Sequence, residues 1–458
     1  MKIPFHTPGR KWLVSAIAVA LATAYVGLAA SQFAASWLGS RVELKLGSGV
    51  ELSRLQRAVW LDPGSADYRN DVGHYYDLVA HDPAAAIPWY RAAVALNPHS
   101  ADYWFDLANT YYQQGDTTDQ TAALERAIRA EPTKPDVAWT AANFYLVQGE
   151  NQKALREFRV VLANDPSLAA ASIQFCWRIE PDVDLLLRDV VPPISDAYVA
   201  FLALLHNDTN RLRRELAASA GDTDAASLTQ AQIKQAQIQT ETAATFKVWN
   251  ALMQSRQPFD LQRAFEYIHY LVQQKEVDEA VLVWQQTVNR FALSASYLPS
   301  SGNLIVNGSF NLDVLDAGFD WQYQKQSGVQ LTFDPGDFHA GRRSLMITFD
   351  GPGISDAGIH QFVAVQPNTT YNFSAYYKSL EQQGAGGPHF TIQDMYNQAV
   401  YYESDELKDA GFWKSAEGEF TTGADCKLVV LHVRRLPAGS PIRGKLWIDD
   451  FHLTRKPS

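Results

Sequence analysis

Two nearly identical octapeptides, LDPGSADY at residues 61–68 and LNPHSADY at residues 96–103, stand 35 residues apart. Four prolines continue this spacing at intervals of 35, 34 and 34 residues: Pro63, Pro98, Pro132 and Pro166. A regular period of this length is typical of an array of small supersecondary units, each of which repeats one local structure.

Two further sets of residues keep the same period. Aromatic residues lie thirteen positions after successive prolines at Tyr76, Tyr111 and Tyr145, and glycines lie seventeen positions after two of the prolines at Gly115 and Gly149. Apolar positions recur every three and four residues, which predicts two amphipathic helices per unit. One such unit cannot bury its apolar face, so we expect the units to stack into a solenoid with a concave groove.

This pattern resembles the tetratricopeptide repeat over about residues 55–166. The shared features are the 34-residue period, an aromatic residue in the first helix, a glycine turn, an Ala-x3-Phe second helix and a closing proline. The resemblance implies a surface for a protein partner. In that family the residue two positions before the repeated tyrosine faces the groove, which here implies partner binding by His74, Asn109 and Asn143. The alternative is that these side chains only form hydrogen bonds between helices.

The composition excludes two classes of protein. Of the 458 residues, 47% are hydrophobic and 12% are aromatic, which excludes a disordered chain. The formal charge at pH 7 is −11, and the sequence contains no dense patch of Lys and Arg. We therefore expect no nucleic-acid partner, because nucleic acids select clustered positive charge.

The N-terminal region is apolar enough to cross a membrane. Residues 12–38 contain no charged side chain, and Lys2, Arg10 and Lys11 precede them. The positive-inside rule then predicts a cytoplasmic tail at residues 1–11, a single anchor in the inner membrane, and a bulk of the chain outside the cytoplasm. The alternatives are a cleaved signal peptide and a buried helix.

Helical periodicity continues beyond the clear repeats, which we assign to residues 50–170. Residues 171–298 are predicted to form degenerate helical repeats. The main observation is that YLVQQKEVDEAVLVW at residues 270–284 echoes YLVQGENQKALREF at residues 145–158.

The pattern changes after residue 298. Seven short runs rich in β-branched and aromatic residues, most alternating with period two, are separated by Gly, Pro, Asn and Asp, which predicts an antiparallel β-sandwich over residues 299–458. The predicted fold class is therefore multidomain α plus β: a transmembrane helix, an α-solenoid and a C-terminal sandwich.

Four motifs in the sandwich carry a second resemblance. They are Asn-Leu-x-x-Asn-Gly-Ser-Phe at residues 303–310, Gly-x-x-Ser-Leu at 341–345, Thr-Tyr-x-x-Ser at 370–374 and Trp-Ile-Asp-Asp at 447–450. In order and wording they are similar to the jelly-roll carbohydrate-binding modules. The resemblance implies a jelly roll and a glycan partner.

The sandwich contains a predicted glycan site. Strand alternation places Tyr376 and Lys378 on a polar face, opposite an apolar one. Flat rings pack on the CH faces of a pyranose, and planar polar side chains meet its hydroxyls. The predicted ligand-binding residues are Trp321, Tyr376, Lys378, Gln393 and Arg434. The alternative for each of them is a place in the core or an unused place on the surface.

The resemblance to carbohydrate-binding modules also implies a structural calcium ion, here at Asn311 and Asp449. The family normally carries a carboxylate where this chain has Asn311. Calcium prefers several oxygens that include charged ones, so the neutral amide weakens this expectation. No other cofactor is expected.

Enzyme signatures are missing from the sequence. It contains no HExxH, GxSxG, P-loop or paired CxxC motif. Asp449 and Asp450 are adjacent in a predicted strand and point to opposite faces, so they cannot work together as an acid and a base. The sequence therefore predicts a non-catalytic scaffold that serves the synthesis, export or attachment of an envelope polysaccharide. The alternative is a protein-assembly factor whose sandwich binds no sugar.

Overall fold

The computed structural model describes residues 8–39, 49–219 and 225–456, so residues 1–7 of the predicted cytoplasmic tail lie outside the described residues. The described residues form fourteen α-helices: α1 (Pro8–Gly39), α2 (Gly49–Leu61), α3 (Ala66–His74), α4 (Pro83–Leu96), α5 (Ala101–Gln113), α6 (Thr117–Ala130), α7 (Pro135–Val147), α8 (Asn151–Asn164), α9 (Ala169–Ile179), α10 (Val183–Leu185), α11 (Ser195–Ala218), α12 (Ala225–Ser255), α13 (Leu261–Gln273) and α14 (Val277–Arg290). Ten strands follow them, which confirms the predicted order of helices before strands.

The predicted repeats are the helix pairs α3–α4, α5–α6 and α7–α8. Gly115 and Gly149 end the first helices of two pairs with positive φ angles of 73° and 74°, a conformation that glycine adopts without strain. Asp82 and Asp116 cap the second helices, and each carboxylate accepts a hydrogen bond of 3.0 Å from the backbone N–H three residues later. Local sequence therefore determines where each repeat helix begins and ends.

The repeated apolar positions form the core of the solenoid. The residues five and eight positions before each repeated proline are all fully buried: Leu55, Ala58, Tyr90, Ala93, Leu124, Ala127, Phe158 and Val161. Small side chains alternate with large ones in this set, so adjacent helices approach closely where the side chain is alanine. The repeat period thus matches the burial pattern as well as the helix pattern.

Helix α1 is long and apolar. Within Trp12–Gly39 an 18-residue window reaches a mean hydropathy of 2.1, and large side chains of the helix, such as Trp12 and Phe33, are about three-quarters exposed. Length and composition are sufficient to cross a membrane, although a signal sequence near an N-terminus has the same properties.

By its internal contacts the chain divides into two compact units. The first unit runs to Leu204 and includes Lys247–Ser255, and the second consists of Leu205–Phe246 and Arg256–Ser458. The boundary passes through α11 and α12. The second unit therefore contains the helical pair α13–α14 together with the sandwich.

The sandwich is built from two antiparallel five-stranded sheets. Its strands are β1 (Trp321–Tyr323), β2 (Val329–Asp334), β3 (Ser344–Gly353), β4 (Asp356–Ala364), β5 (Thr370–Gln383), β6 (Gly387–Asp394), β7 (Val400–Glu403), β8 (Lys414–Thr421), β9 (Leu428–Leu436) and β10 (Pro441–Arg455). The first sheet has the order β1-β4-β9-β6-β7, and the second has the order β2-β3-β10-β5-β8. This arrangement confirms the predicted antiparallel sandwich.

The core of the sandwich lies between the two sheets. The apolar residues of β5 that alternation assigned to one face all point into it: Tyr371, Phe373, Ala375 and Tyr377. Rings from both sheets meet there, with Phe390 and Phe451 separated by 5.2 Å between centroids. Alternation along β5 therefore predicted the inward side correctly.

The helical pair α13–α14 packs on the sandwich within the second unit. The Trp284 ring lies 6.2 Å from the ring of Phe319, and its Nε1 donates a 2.7 Å hydrogen bond to the carbonyl of Tyr297. Gly318 has a φ of 61°, and a Cβ added there would lie 2.4 Å from the indole. Glycine at this position therefore allows the tryptophan to approach the β1 side of the sandwich.

Candidate functional site

An apolar cavity of about 410 Å³ opens between the first helices α5 and α7 of two successive repeats. Its lining residues are Asn109, Tyr112, Trp139, Thr140, Asn143, Phe144 and Val147. The structure thus brings together two of the three residues predicted to contact a partner. Tyr112 and Val147 are 50% and 66% exposed, so the cavity presents apolar surface directly to solvent.

The two amides at this cavity are available for binding. Asn109 is exposed, and its side chain forms no hydrogen bond with another described residue. Asn143 donates one 2.8 Å hydrogen bond to the carbonyl of Trp139 in its own helix. Neither amide links one helix to another, and each offers both donor and acceptor atoms beside apolar side chains.

His74 behaves differently. Its Nε2 lies 2.8 Å from Asp106 of the next repeat, and Asn70 donates a 2.7 Å hydrogen bond to the same carboxylate oxygen. The hydrogen bond to Asp106 raises the pKa of His74. His74 therefore forms a hydrogen bond between helices, which was the alternative prediction for this residue. It does not line the cavity.

The structure places Trp321 in the sandwich core, which corrects its assignment to the polar face. Its side chain is only 1% exposed, and its ring centroid lies 4.9 Å from that of Phe451. The indole Nε1 donates to the carbonyl of Asn307 at 3.1 Å. Strand β1 has three residues, too few for alternation to show which side of the sheet each one occupies. Trp321 therefore has a structural role here.

Tyr376 and Lys378 lie on the outer face of the second sheet, but other residues already contact them. The ring of His339, from the loop between β2 and β3, stacks on Tyr376 with 3.5 Å between centroids. Asp337 of the same loop accepts a hydrogen bond from Lys378 and another, of 3.1 Å, from Trp413 Nε1. The loop thus engages both side chains, although Tyr376 also lines a cavity of about 670 Å³ on this face.

Gln393 and Arg434 lie together on the outer face of the first sheet. Arg434 Nη1 donates a 3.1 Å hydrogen bond to Gln393 Oε1. The strand register places a polar row next to this pair, running across four strands: His360, His432, Thr391 and Glu403. Polar side chains thus occupy part of this face.

Two atoms in this row are buried without hydrogen-bond partners among the described residues, namely His432 Nε2 and Thr391 Oγ1. The other ring nitrogen of His432 lies 3.1 Å from Asp356. Burial and the neighbouring His432 lower the pKa of His360. Sequence reasoning missed His360, His432 and Thr391, although His432 and Thr391 each stand between two buried apolar residues of their strands.

The two residues implied as calcium ligands, Asn311 and Asp449, both contact the loop between β2 and β3. Asp449 Oδ2 accepts hydrogen bonds from the backbone N–H groups of His339 and Ala340 at 2.7 and 2.9 Å, and burial raises the pKa of Asp449 to about 6. Asn311 Oδ1 accepts a 2.7 Å hydrogen bond from the backbone N–H of Arg342. The oxygens of both side chains are therefore used by the protein itself.

Two guanidinium groups bind the carbonyl oxygens beside Asn311. Arg343 Nε and Nη2 donate to the carbonyls of Phe310 and Leu312 at 2.6 and 2.7 Å, and Arg342 Nη2 donates to the carbonyl of Asn311 at 2.9 Å. Among the described residues, no group of three His, Cys, Asp or Glu side chains could hold a metal ion. The carbonyl oxygens of residues 310–312 therefore accept hydrogen bonds from arginine, an arrangement that fits them better than binding to a calcium ion.

Two family models match separate regions of the chain. Residues 302–437 match a model described as a carbohydrate binding domain, and residues 76–135 match a tetratricopeptide repeat model. No curated protein matches the chain.

Several solved structures resemble parts of the chain. A CBM4 module shares 15% identity, with 33% of this chain and 99% of that chain covered and a TM-score of 0.26. The MamA protein shares 20% identity, with coverages of 28% and 75% and a TM-score of 0.25. A CBM22-1 xylan-binding domain from Paenibacillus barcinonensis shares 17% identity, with coverages of 35% and 98% and a TM-score of 0.25.

Identities and TM-scores this low carry no information on ligand or partner. The two family models, the helix pairs and the two antiparallel sheets agree on the modules themselves. The chain joins tetratricopeptide repeats to a C-terminal β-sandwich of the carbohydrate-binding-domain type.

Proposed function

We propose that this protein is a non-catalytic scaffold, anchored in the inner membrane by α1, that joins a protein partner to an envelope glycan. The observation that carries the proposal is the apolar cavity between α5 and α7, where Asn109 and Asn143 stand beside exposed apolar side chains. A solenoid presents such a surface along its concave side and encloses no catalytic pocket.

The cavity suits a peptide segment of a protein partner. An apolar side chain of the partner would enter between Tyr112 and Val147, whose exposed surface would then be removed from water. The amides of Asn109 and Asn143 would bond to the partner's backbone, which offers a donor and an acceptor at each residue. The groove would therefore supply both affinity and orientation.

The outer face of the first sheet suits a glycan. Gln393 and Arg434 provide planar polar groups, and the unpartnered atoms of His432 and Thr391 lie in the adjoining row. Those two atoms are buried, so a sugar on this face would contact the half-buried Gln393 and Arg434. For a site with so few accessible polar groups we expect weak affinity, in the micromolar to millimolar range, or about −8 to −4 kcal/mol.

The anchor and the compartment rest on α1. Its apolar side chains are exposed along most of the helix, and Arg10 and Lys11 precede the apolar segment. These features support a single span with residues 1–11 in the cytoplasm and the repeats and sandwich outside it. A reporter that is active only outside the cytoplasm should function when fused after Ser458, and an alkaline wash should leave the chain in the membrane.

The groove is tested by changing Asn109 and Asn143 together to alanine in the full-length chain. We expect the recovery of a partner cross-linked in host membranes to fall while thermal unfolding stays nearly unchanged, because neither amide bridges two helices. The matched control is Asn151→Ala with Asn164→Ala on α8, since Asn164, like Asn143, donates to the carbonyl four residues before it. Equal loss in both variants, or loss of folding, would contradict the groove assignment.

The glycan site is tested by changing Gln393 and Arg434 together to alanine. The wild-type chain should be retarded in gels that contain the host's envelope polysaccharide, and the double variant should not. The matched control removes the same residue types from exposed positions of the second sheet, Gln330→Ala with Arg455→Ala. If the wild type ignores every envelope glycan but still captures its protein partner, the protein-assembly alternative is correct.

A further inference from the structure

The first and second helices of the repeats differ in charge. The first helices α3, α5 and α7 carry five aspartates: Asp67, Asp71, Asp102, Asp106 and Asp136. Apart from His74, their only basic residue is Arg69, which donates to the carbonyl of Ser65 at 2.8 Å. The second helices α4, α6 and α8 carry three acidic residues, Asp119, Glu125 and Glu157, but six basic ones: Arg91, Arg126, Arg129, Lys153, Arg156 and Arg159. The first helices are therefore the acidic side of each repeat.

Three of these aspartates form a column. Asp67, Asp102 and Asp136 are each the second residue of their helix, one repeat apart, and all three are exposed. Asp67 accepts a hydrogen bond from the Tyr103 hydroxyl. Asp102 and Asp136 form no ion pair with any described residue, although Lys134 lies nearby and instead pairs with Glu131 at 2.8 Å. Two carboxylates on the helices that line the cavity are thus free to attract a cation.

The distance from these carboxylates to the cavity is set by helix geometry. Asp102 precedes Asn109 by seven residues on α5, and Asp136 precedes Asn143 by seven residues on α7. Seven residues of α-helix rise about 10 Å. An extended peptide covers that distance in about three residues. If an extended peptide runs along these helices, the residue that reaches the carboxylates is therefore about three positions away from the residue that reaches the apolar cavity.

Resting on the proposed function of the groove, we infer the chemical class of the partner: a peptide segment with one large apolar side chain and with Lys or Arg about three residues away. The apolar side chain would fill the cavity, and the basic side chains would lie at Asp102 and Asp136. An acidic segment would be repelled by the same carboxylates. The two cations that a terminal carboxylate could meet here, Arg69 on α3 and Lys134 just before α7, are already engaged by the carbonyl of Ser65 and by Glu131.

The inference is tested with the full-length chain in mild detergent and four fluorescein-labelled twelve-residue peptides of Gly and Ser. One contains a single Phe, one contains two Arg, and the others combine the Phe with two Arg or two Glu three residues away. We expect the Phe–Arg peptide to bind about three- to tenfold more tightly than the Phe peptide, with the Phe–Glu peptide weakest. Fluorescence polarisation at low and high salt measures these affinities. We expect high salt to reduce the differences between the peptides, because it screens the charges.

The charge assignment is tested with Asp102→Asn and Asp136→Asn together. This variant should bind the three Phe-containing peptides nearly equally. The control, Glu125→Gln with Glu150→Gln, makes the same charge change at exposed positions outside α5 and α7 and should keep the wild-type order. If the Phe-containing peptides bind wild type equally, the inference is wrong but the groove assignment stands. If no peptide binds, both are overturned, and equal effects of the two double variants would also overturn the inference.

Discussion

The repeat groove and the sandwich use their aromatic side chains in opposite ways. In the groove, Tyr112 is half exposed beside a cavity, whereas in the sandwich Trp321 is buried between two sheets. A solenoid stacks in one dimension and leaves its concave side open. A sandwich buries the inner faces of both sheets, and here a loop also covers part of one outer face at Tyr376. An aromatic residue therefore indicates a binding surface in the repeats more reliably than in the sandwich.

The largest effect that we expect in testing this comparison is that of Trp321→Ala on stability. Removing a buried indole leaves a cavity in the core, so we expect the free energy of unfolding to fall by about 3–5 kcal/mol. Calorimetry of the full-length chain measures the change in the sandwich transition. The control is Trp60→Ala, which removes a tryptophan that is 80% exposed and should change stability by less than about 0.5 kcal/mol. A stable Trp321 variant that had lost glycan binding would show that this ring serves the ligand.

A second test concerns a charge that the sandwich buries. Asp320 is fully buried, and one of its carboxylate oxygens has no partner among the described residues. Burial raises the pKa of Asp320 to about 6. The folded state therefore favours the protonated carboxyl, and the stability of the wild type should fall as the pH rises from about 4 through 6.

Asp320→Asn should remove the part of this pH dependence that comes from Asp320 and leave the part that comes from Asp449. Between pH 4 and pH 7.5, the difference in unfolding free energy between the variant and the wild type should shift in favour of the variant by up to about 3 kcal/mol. Asp313→Asn is the control, because the side chain of Asp313 is almost fully exposed. Denaturant unfolding at several pH values checks the prediction, and a difference that stays constant across this range would refute it.

The groove should respond to substitution in binding more than in stability. Tyr112→Ala with Val147→Ala removes exposed apolar surface at the cavity, so we expect binding of the Phe–Arg peptide to weaken about tenfold or more. The unfolding free energy should change by less than about 1 kcal/mol, because these side chains are largely in solvent. Polarisation and calorimetry on the same samples measure both quantities. A large loss of stability would place these residues in the core, as Trp321 is.

The sequence predicted the repeat architecture well because its signals are local. Gly115 and Gly149 end the first helices of their repeats, and Asn109 and Asn143 line one cavity, whereas His74 of the same column does not. The alternation of strand β5 likewise identified the inward side of the sandwich. In each case a side chain's environment is determined by its own helix or strand and by the repeat next to it.

The sequence failed where distant segments meet. His339 stacks on Tyr376, and Arg343 reaches the carbonyl of Phe310, although more than thirty residues separate the members of each pair. His74 is similarly taken by Asp106 from the following repeat. No periodic pattern in the sequence predicts such contacts. The stacking of His339 on Tyr376 and the hydrogen bond from Arg343 to Phe310 are therefore seen only in the folded chain.

The smallest expected effect concerns the attachment of α13–α14 to the sandwich. Lys427 and Asp278 form an ion pair of 2.6 Å, but their side chains are 51% and 74% exposed. Such a surface pair contributes about 0–1 kcal/mol, whereas Trp284 is buried against the segment that carries Phe319. Lys427→Ala should therefore lower stability by less than about 1 kcal/mol, with little effect on hydrogen exchange in α13–α14. In a double-mutant cycle with Asp278→Ala, the coupling should disappear in 0.5 M salt because the charges are screened. If Lys427→Ala instead released the protection of both helices, the attachment would depend on this ion pair and not on the tryptophan.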